Sequence, residues 1–195
     1  MPCPPLRHGT PCPYKTAPPI FIKIPSMTAQ ILDGKTTALK LREDVARGVA
    51  KLREQGMEIG LGVVLVGDDP ASHVYVGMKE RACAQAGITS ISRRLQETAS
   101  QQEVLDAVEE LNQDKNVQGI LVQHPLPKGM DEDAVFNAIA PEKDVDGVGV
   151  VSMGKVLSAQ PGYAACTAAG IINLLDGYNI DIKGKNCVVV GRSLI

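Results

Sequence analysis

The sequence predicts an α/β fold with a mainly parallel sheet. Apolar runs too short for typical helices alternate with longer segments of helical periodicity. Those runs are uninterrupted rather than alternating, as expected of strands covered on both faces. Aromatic residues make up 3% of the chain and Trp is absent, so the core must come from Val, Ile, Leu and Ala.

Each element follows from its own pattern. "TTALKLREDVARGVAKLREQG" has helical spacing, with Leu39, Leu41, Val45, Val49 and Leu52 recurring at threes and fours. "LGVVLVG" (61–67) reads as a buried strand. Asp69-Pro70 then opens a helix, a capping carboxylate followed by proline at the first helical position. "SISRRLQ" (90–96) reads as a strand, "QQEVLDAVEELNQD" as a helix and "GILVQ" (119–123) as a second buried strand. A short helix at "DEDAVFNAI" leads to "PEKDVDGVGVVSMG", which reads as loop. "CTAAGIINLLDGYN" reads as a helix ending near Gly177, and "KNCVVVG" (185–191) as a strand.

Composition excludes several classes of function. The net charge of −2 and the lack of an aromatic-basic platform argue against a general nucleic-acid binder. No run of about 18 apolar residues exists to span a membrane as a helix. The five cysteines, at 3, 12, 83, 166 and 187, form no CxxC pair and no metal-finger spacing, which suits a reducing compartment. Cys83 and Cys187 lie in apolar segments and read as small core residues, and Cys166, with no base at a recognisable spacing, reads as structural. Residues 1–26 hold 8 of the 13 prolines and no acidic residue, and read as a disordered extension with Met27 as the start of the folded protein.

In a parallel sheet, ligands favour the carboxyl ends of the strands. Asp68 and Asp69 follow the first such end, and Gln123 and His124 the second. Lys79 lies in the helix after the first strand, on a face shared with Ser72, Tyr75, Val76, Ala82, Cys83 and Ala86. A lysine on a small, mostly apolar face either snorkels its ammonium to water or serves chemistry. Tyr75, one turn earlier, would give a planar ligand a floor. Gln123 either holds a ligand or caps a turn, and His124 is either a loop histidine or a base. "KDVDG" offers Asp144 and Asp146 without the spacing of a calcium loop, and no metal site is expected. "VVVGRSLI" (188–195) resembles the start of a dinucleotide-binding domain, where Gly191, Arg192 and Ser193 would turn toward a phosphate.

Four stretches, "VGDDPASHVYVGMKERAC", "GILVQHPLP", "PEKDVDGVGVVSMG" and "VVVGRSLI", together resemble the bifunctional methylenetetrahydrofolate dehydrogenase/methenyltetrahydrofolate cyclohydrolase family. Each is modest alone, but their order and spacing match from about Ile31 to the end. The resemblance implies a three-layer folate-binding catalytic domain (27–165), a linking helix (166–180) and the truncated start of an NADP-binding Rossmann-type domain (181–195). It implies a cytoplasmic enzyme that oxidises methylene-tetrahydrofolate and hydrolyses the methenyl product, homodimeric at full length. The cofactor would be NADP, the substrate a tetrahydrofolate derivative. Lys79 would be the catalytic lysine and Gln123 the glutamine that contacts it and helps set its protonation. Tyr75 would pack on the folate ring system and Asp146 would hydrogen-bond the pterin.

This chain departs from the family at two motifs. Ala165-Cys166-Thr167-Ala168 stands where the family has Pro-Cys-Thr-Pro, and His124 stands where Leu is common, beside the lysine. Because so little of the NADP domain is present, hydride transfer is not expected from this fragment alone. Two other readings stay open: a non-catalytic folate-binding module, and a Schiff-base lysine in an unrelated lyase.

Overall fold

The structure, a computed structural model, describes residues 29–191. The extension at 1–26 and the proposed start at Met27 lie outside the described residues. The chain divides into units Met1–Ile31 and Leu32–Ile195, and every element below belongs to the second.

The first helix, α1 (Gly34–Glu54), is capped by Asp33, whose carboxylate accepts from the Lys35 amide and from the Thr36 hydroxyl. It lies against a second helix, α2 (Pro70–Ala86), but only Val49 of its five recurring apolar residues is buried. Leu39, Leu41, Val45 and Leu52 remain exposed, so the periodicity marks a helix but overstates its contribution to the core.

Strand β1 (Gly60–Val66) is the centre of a three-stranded sheet, paired in parallel with β2 (Thr89–Leu95) on one side and β3 (Gly119–Val122) on the other. Its side chains alternate between two cores. Val63 and Leu65 join Leu121 and Val76 of α2 (Pro70–Ala86) on one face. Val64 and Val66 join Ile120 and Val122 against α3 (Gln101–Gln113) and α4 (Glu132–Ala138) on the other. Helix, sheet and helix make the three layers, and burial on both faces explains the unbroken apolar runs.

The helix starts come from local chemistry. Asp69 accepts from the Ser72 amide at 2.7 Å with Pro70 at the first turn, and α2 ends at Gly87 in a left-handed conformation (φ 79°) that glycine adopts without strain. Ser100 and Glu103 form a reciprocal capping box on α3. At its far end the Lys143 ammonium donates to the carbonyls of Leu111, Asn112 and Asp114 at 3.2, 2.7 and 2.9 Å.

Two expectations are corrected. The second half of "PEKDVDGVGVVSMG" is not loop but the start of α5 (Val150–Leu157). Its N-cap, Gly149, has no capping side chain; the Val150 amide is bound by Asn137 Oδ1 of α4 at 2.8 Å, a partner invisible to a local pattern. The strand expected at 185–191 is not formed. Val188, Val189 and Val190 are 86%, 85% and 95% exposed, and Cys187 beside them is exposed rather than core. An apolar run becomes a strand only when a neighbour takes its backbone hydrogen bonds, and none of the described strands pairs with it. The helix expected between them is present as α6 (Cys166–Gly177).

Candidate active site

A cavity of about 220 Å³ opens beyond the carboxyl end of β3. It is lined by Lys79 from α2, by Val122, Gln123 and His124 at the strand end, and by Phe136 of α4. Asp146 and Val148 of the following loop and Ala165–Thr167 at the start of α6 complete it. The space suits a ring system rather than a whole drug-sized ligand.

The half-buried Lys79 stands two and a half turns into α2, with Val76 and Cys83 buried on either side. Its ammonium donates to Gln123 Oε1 at 3.1 Å. Gln123 is 8% exposed; its backbone amide extends the sheet by donating to Val64 O at 2.8 Å. The side chain is oriented from both ends. An ammonium can only donate, so the amide oxygen must face it, while Nε2 donates to the His124 carbonyl at 2.6 Å. Gln123 therefore reaches from β3 to α2, and Lys79 points into the cavity rather than out to bulk water.

Asp146 enters the wall from a loop whose shape is set by its neighbour. Asp144, 1% exposed, accepts from the amides of Gly147, Val148 and Gly149 at 3.1, 3.3 and 2.9 Å. Gly147 is required here twice over: its φ is +67°, and a Cβ would lie 2.6 Å from the Ala164 carbonyl carbon. The two aspartates of "KDVDG" thus divide their work, Asp144 holding the loop and Asp146 facing the cavity.

Cys166 also lines the wall, with Sγ donating to Val145 O at 3.3 Å. Desolvation, and then the Asp146 carboxylate, push its thiol up to about 11. Reading it as purely structural missed its position at the cavity edge; Phe136, Val148 and Thr167 were missed as well, since nothing local marks them.

Of the other residues singled out, Tyr75 is 58% exposed and lies outside the cavity lining, one turn from Lys79. Asp69 caps α2, and Asp68 faces His73 at 3.6 Å with its side chain 94% exposed; neither lines the cavity. Gly191 is exposed, and Arg192 and Ser193 lie outside the described residues. A larger hollow of about 640 Å³ beside α3, lined by Arg93, Asp106, Glu109, Glu110, Gln113 and Asp114, is an open surface groove holding none of these side chains.

The family described as tetrahydrofolate dehydrogenase/cyclohydrolase, catalytic domain, matches residues 32–146. The bifunctional protein FolD of Agathobacter rectalis is 48% identical over 167 residues, which cover 86% of this chain and 60% of that protein. The crystal structure of the Campylobacter jejuni bifunctional FolD, a methylenetetrahydrofolate dehydrogenase/cyclohydrolase, superposes with a TM-score of 0.83 at 40% identity, covering 85% of this chain and 59% of that one. The Trypanosoma brucei dehydrogenase-cyclohydrolase, complexed with NADP cofactor and inhibitor, gives a TM-score of 0.81 at 32% identity, with 86% and 58% covered. The chain spans about three fifths of the length of the curated relatives it matches. With Lys79, Gln123 and Asp146 gathered on one cavity, an α/β frame of the same shape and the family match running through that frame, this chain belongs to the tetrahydrofolate dehydrogenase/cyclohydrolase family.

Proposed function

We propose that the cavity holds the bicyclic end of a tetrahydrofolate and that the chain hydrolyses methenyl-tetrahydrofolate to formyl-tetrahydrofolate. The observation that carries the reading is the Lys79 ammonium, fixed 3.1 Å from Gln123 Oε1 inside a cavity that also contains Asp146.

The bridging carbon of the substrate is amidinium-like and open to attack by water. Water adds to it and releases one proton; a carbon–nitrogen bond then breaks as the new hydroxyl becomes the formyl carbonyl and its proton passes to the departing nitrogen. One N–H of Lys79 is held by Gln123, which aims the remaining protons into the cavity where that exchange occurs. Asp146 would accept from the donor edge of the pterin and fix its register, so the reacting carbon meets Lys79 without a search. Tyr75, on the exposed turn before Lys79, would cover the ring from the solvent side. Family membership is what supports a homodimer and a cytoplasmic location for the full-length protein.

In the full-length protein the partner reaction would oxidise methylene-tetrahydrofolate with NADP as hydride acceptor. Gly191 is the one described member of the expected phosphate turn, and no strand leads into it.

Lys79→Met tests the assignment. Hydrolysis of methenyl-tetrahydrofolate, followed by absorbance, should fall at least about 100-fold, with the circular dichroism spectrum unchanged. An unchanged rate sinks the role of Lys79. Tetrahydrofolate binding with no turnover by the unsubstituted chain would establish a binding module instead.

A further inference from the structure

The segment 145–147 is gripped from two sides. On one side Val145 seats on β3: a Cβ at Gly119 would lie 2.5 Å from Val145 Cγ1, so the strand glycine leaves room for that side chain. On the other, residues 164–166 at the start of α6 lie across the segment. Cys166 bonds to two consecutive carbonyls, Sγ donating to Val145 O and its amide to Asp146 O, both at 3.3 Å. Beside them Gly147 meets this stretch so closely that a Cβ there would fall 2.8 Å from the Ala165 nitrogen. The amides of residues 147–149 are taken by Asp144, so none of them holds the Asp146 carboxylate. Its place in the cavity wall is set through the backbone on either side of it. The helix that does the gripping is itself fastened at its far end, where the Tyr178 hydroxyl accepts from the Asp33 amide ahead of α1 at 2.7 Å. Its near end has no capping side chain, and alanines stand at 165 and 168.

We propose that Cys166 is a positioning residue: by tying the carbonyls of Val145 and Asp146 to the start of α6, it sets where the Asp146 carboxylate stands relative to Lys79. The inference rests on the folate reading above, and it gives Cys166 no step in the chemistry. With the tie removed, the carboxylate meets the donor edge of the pterin at poorer distance and angle. The Lys79–Gln123 contact is built on α2 and the end of β3 and does not depend on it. Binding of the bicycle therefore suffers, while proton exchange at the bridging carbon of a bound bicycle does not. An S–H donor is weak, so the effect is modest in size. Its leverage comes from where the bond is made, beside the one carboxylate that faces the cavity.

The test is a set of tetrahydrofolate dissociation constants for the full 195-residue chain, read by equilibrium titration, with kcat for methenyl-tetrahydrofolate hydrolysis measured beside them. Cys166→Ala should weaken tetrahydrofolate binding roughly fivefold and lower kcat less than about twofold, with the circular dichroism spectrum unchanged. Cys166→Ser places an O–H donor beside the Val145 carbonyl and should recover most of the lost affinity. Asp146→Asn keeps one acceptor oxygen for the pterin. Added to it, Cys166→Ala should cost less than about a further twofold, because the two residues act through one contact. Equal weakening by Cys166→Ala and Cys166→Ser would mean that the sulfur merely packs there. An undiminished loss in the Asp146→Asn background would mean that Cys166 acts without Asp146. Either result overturns the proposal, as does unchanged binding by Cys166→Ala. If the unsubstituted chain binds no tetrahydrofolate, it is the folate reading that falls.

Discussion

At Cys166 the sulfur reaches solvent, yet its proton is held by the Val145 carbonyl and its thiolate would face Asp146. Access and reactivity therefore part company: the thiolate is the nucleophile, and a thiol pushed up to about 11 supplies little of it at neutral pH. Alkylation of Cys166 by iodoacetamide at about pH 8 should run roughly 30- to 100-fold slower than that of an unstructured cysteine peptide. Peptide mapping by mass spectrometry reads this directly, and a rate equal to that of the free peptide would contradict the placement of Asp146. Lys79 shows a different kind of residue-level legibility. The spacing along α2 put it on the small face without saying whether its ammonium would turn out to water. Gln123, 44 residues later, decides that, and no helical pattern contains it. Tyr75 was read from the same face; it is exposed and stands outside the cavity lining, one turn before Lys79.

The elements formed by local chemistry were the ones readable in advance. α2 has its proline and capping aspartate in sequence, and β1 and β3 have unbroken apolar runs. α5 was unreadable because its first amide is satisfied from α4 and its approach is shaped by the buried Asp144. That dependence is testable. Asp144→Ala removes a carboxylate that three amides share, leaving donors without partners in a buried turn. The cost should be about 2–4 kcal/mol in chemical denaturation. Protection of the α5 amides from hydrogen exchange should fall further than that of β1. Equal loss across both elements would mean that Asp144 supports the whole domain rather than this one connection. Segment 185–191 failed for the opposite reason: its propensity is that of a strand, but propensity alone forms no ladder.

For the molecule as a whole, the pattern of carboxylates fixes how stability responds to acid. Thr36 holds Asp33 below its ordinary 3.8, and the Ser72 amide does the same for Asp69. Ser92, ahead of Arg94, lowers Glu80 from 4.5; Ser100 lowers Glu103 and Gln113 lowers Glu109. Each of these groups binds its proton more readily when unfolded. Their contribution is complete above the ordinary carboxylate range and is lost as pH falls through the depressed folded values. The urea midpoint should therefore decline steadily from about pH 5 to about pH 3, and Glu80→Gln should make that decline shallower. A midpoint that is level over this range would show that these hydrogen bonds do not persist in solution. The exposed valines carry a further consequence. Val188, Val189 and Val190 have the composition of a strand and the accessibility of a loop. Their open amides would find satisfaction most readily on the matching segment of another copy, so crowding favours intermolecular cross-β growth there. The three side chains that spell strand in the sequence are, left unpaired, the place where aggregation would begin.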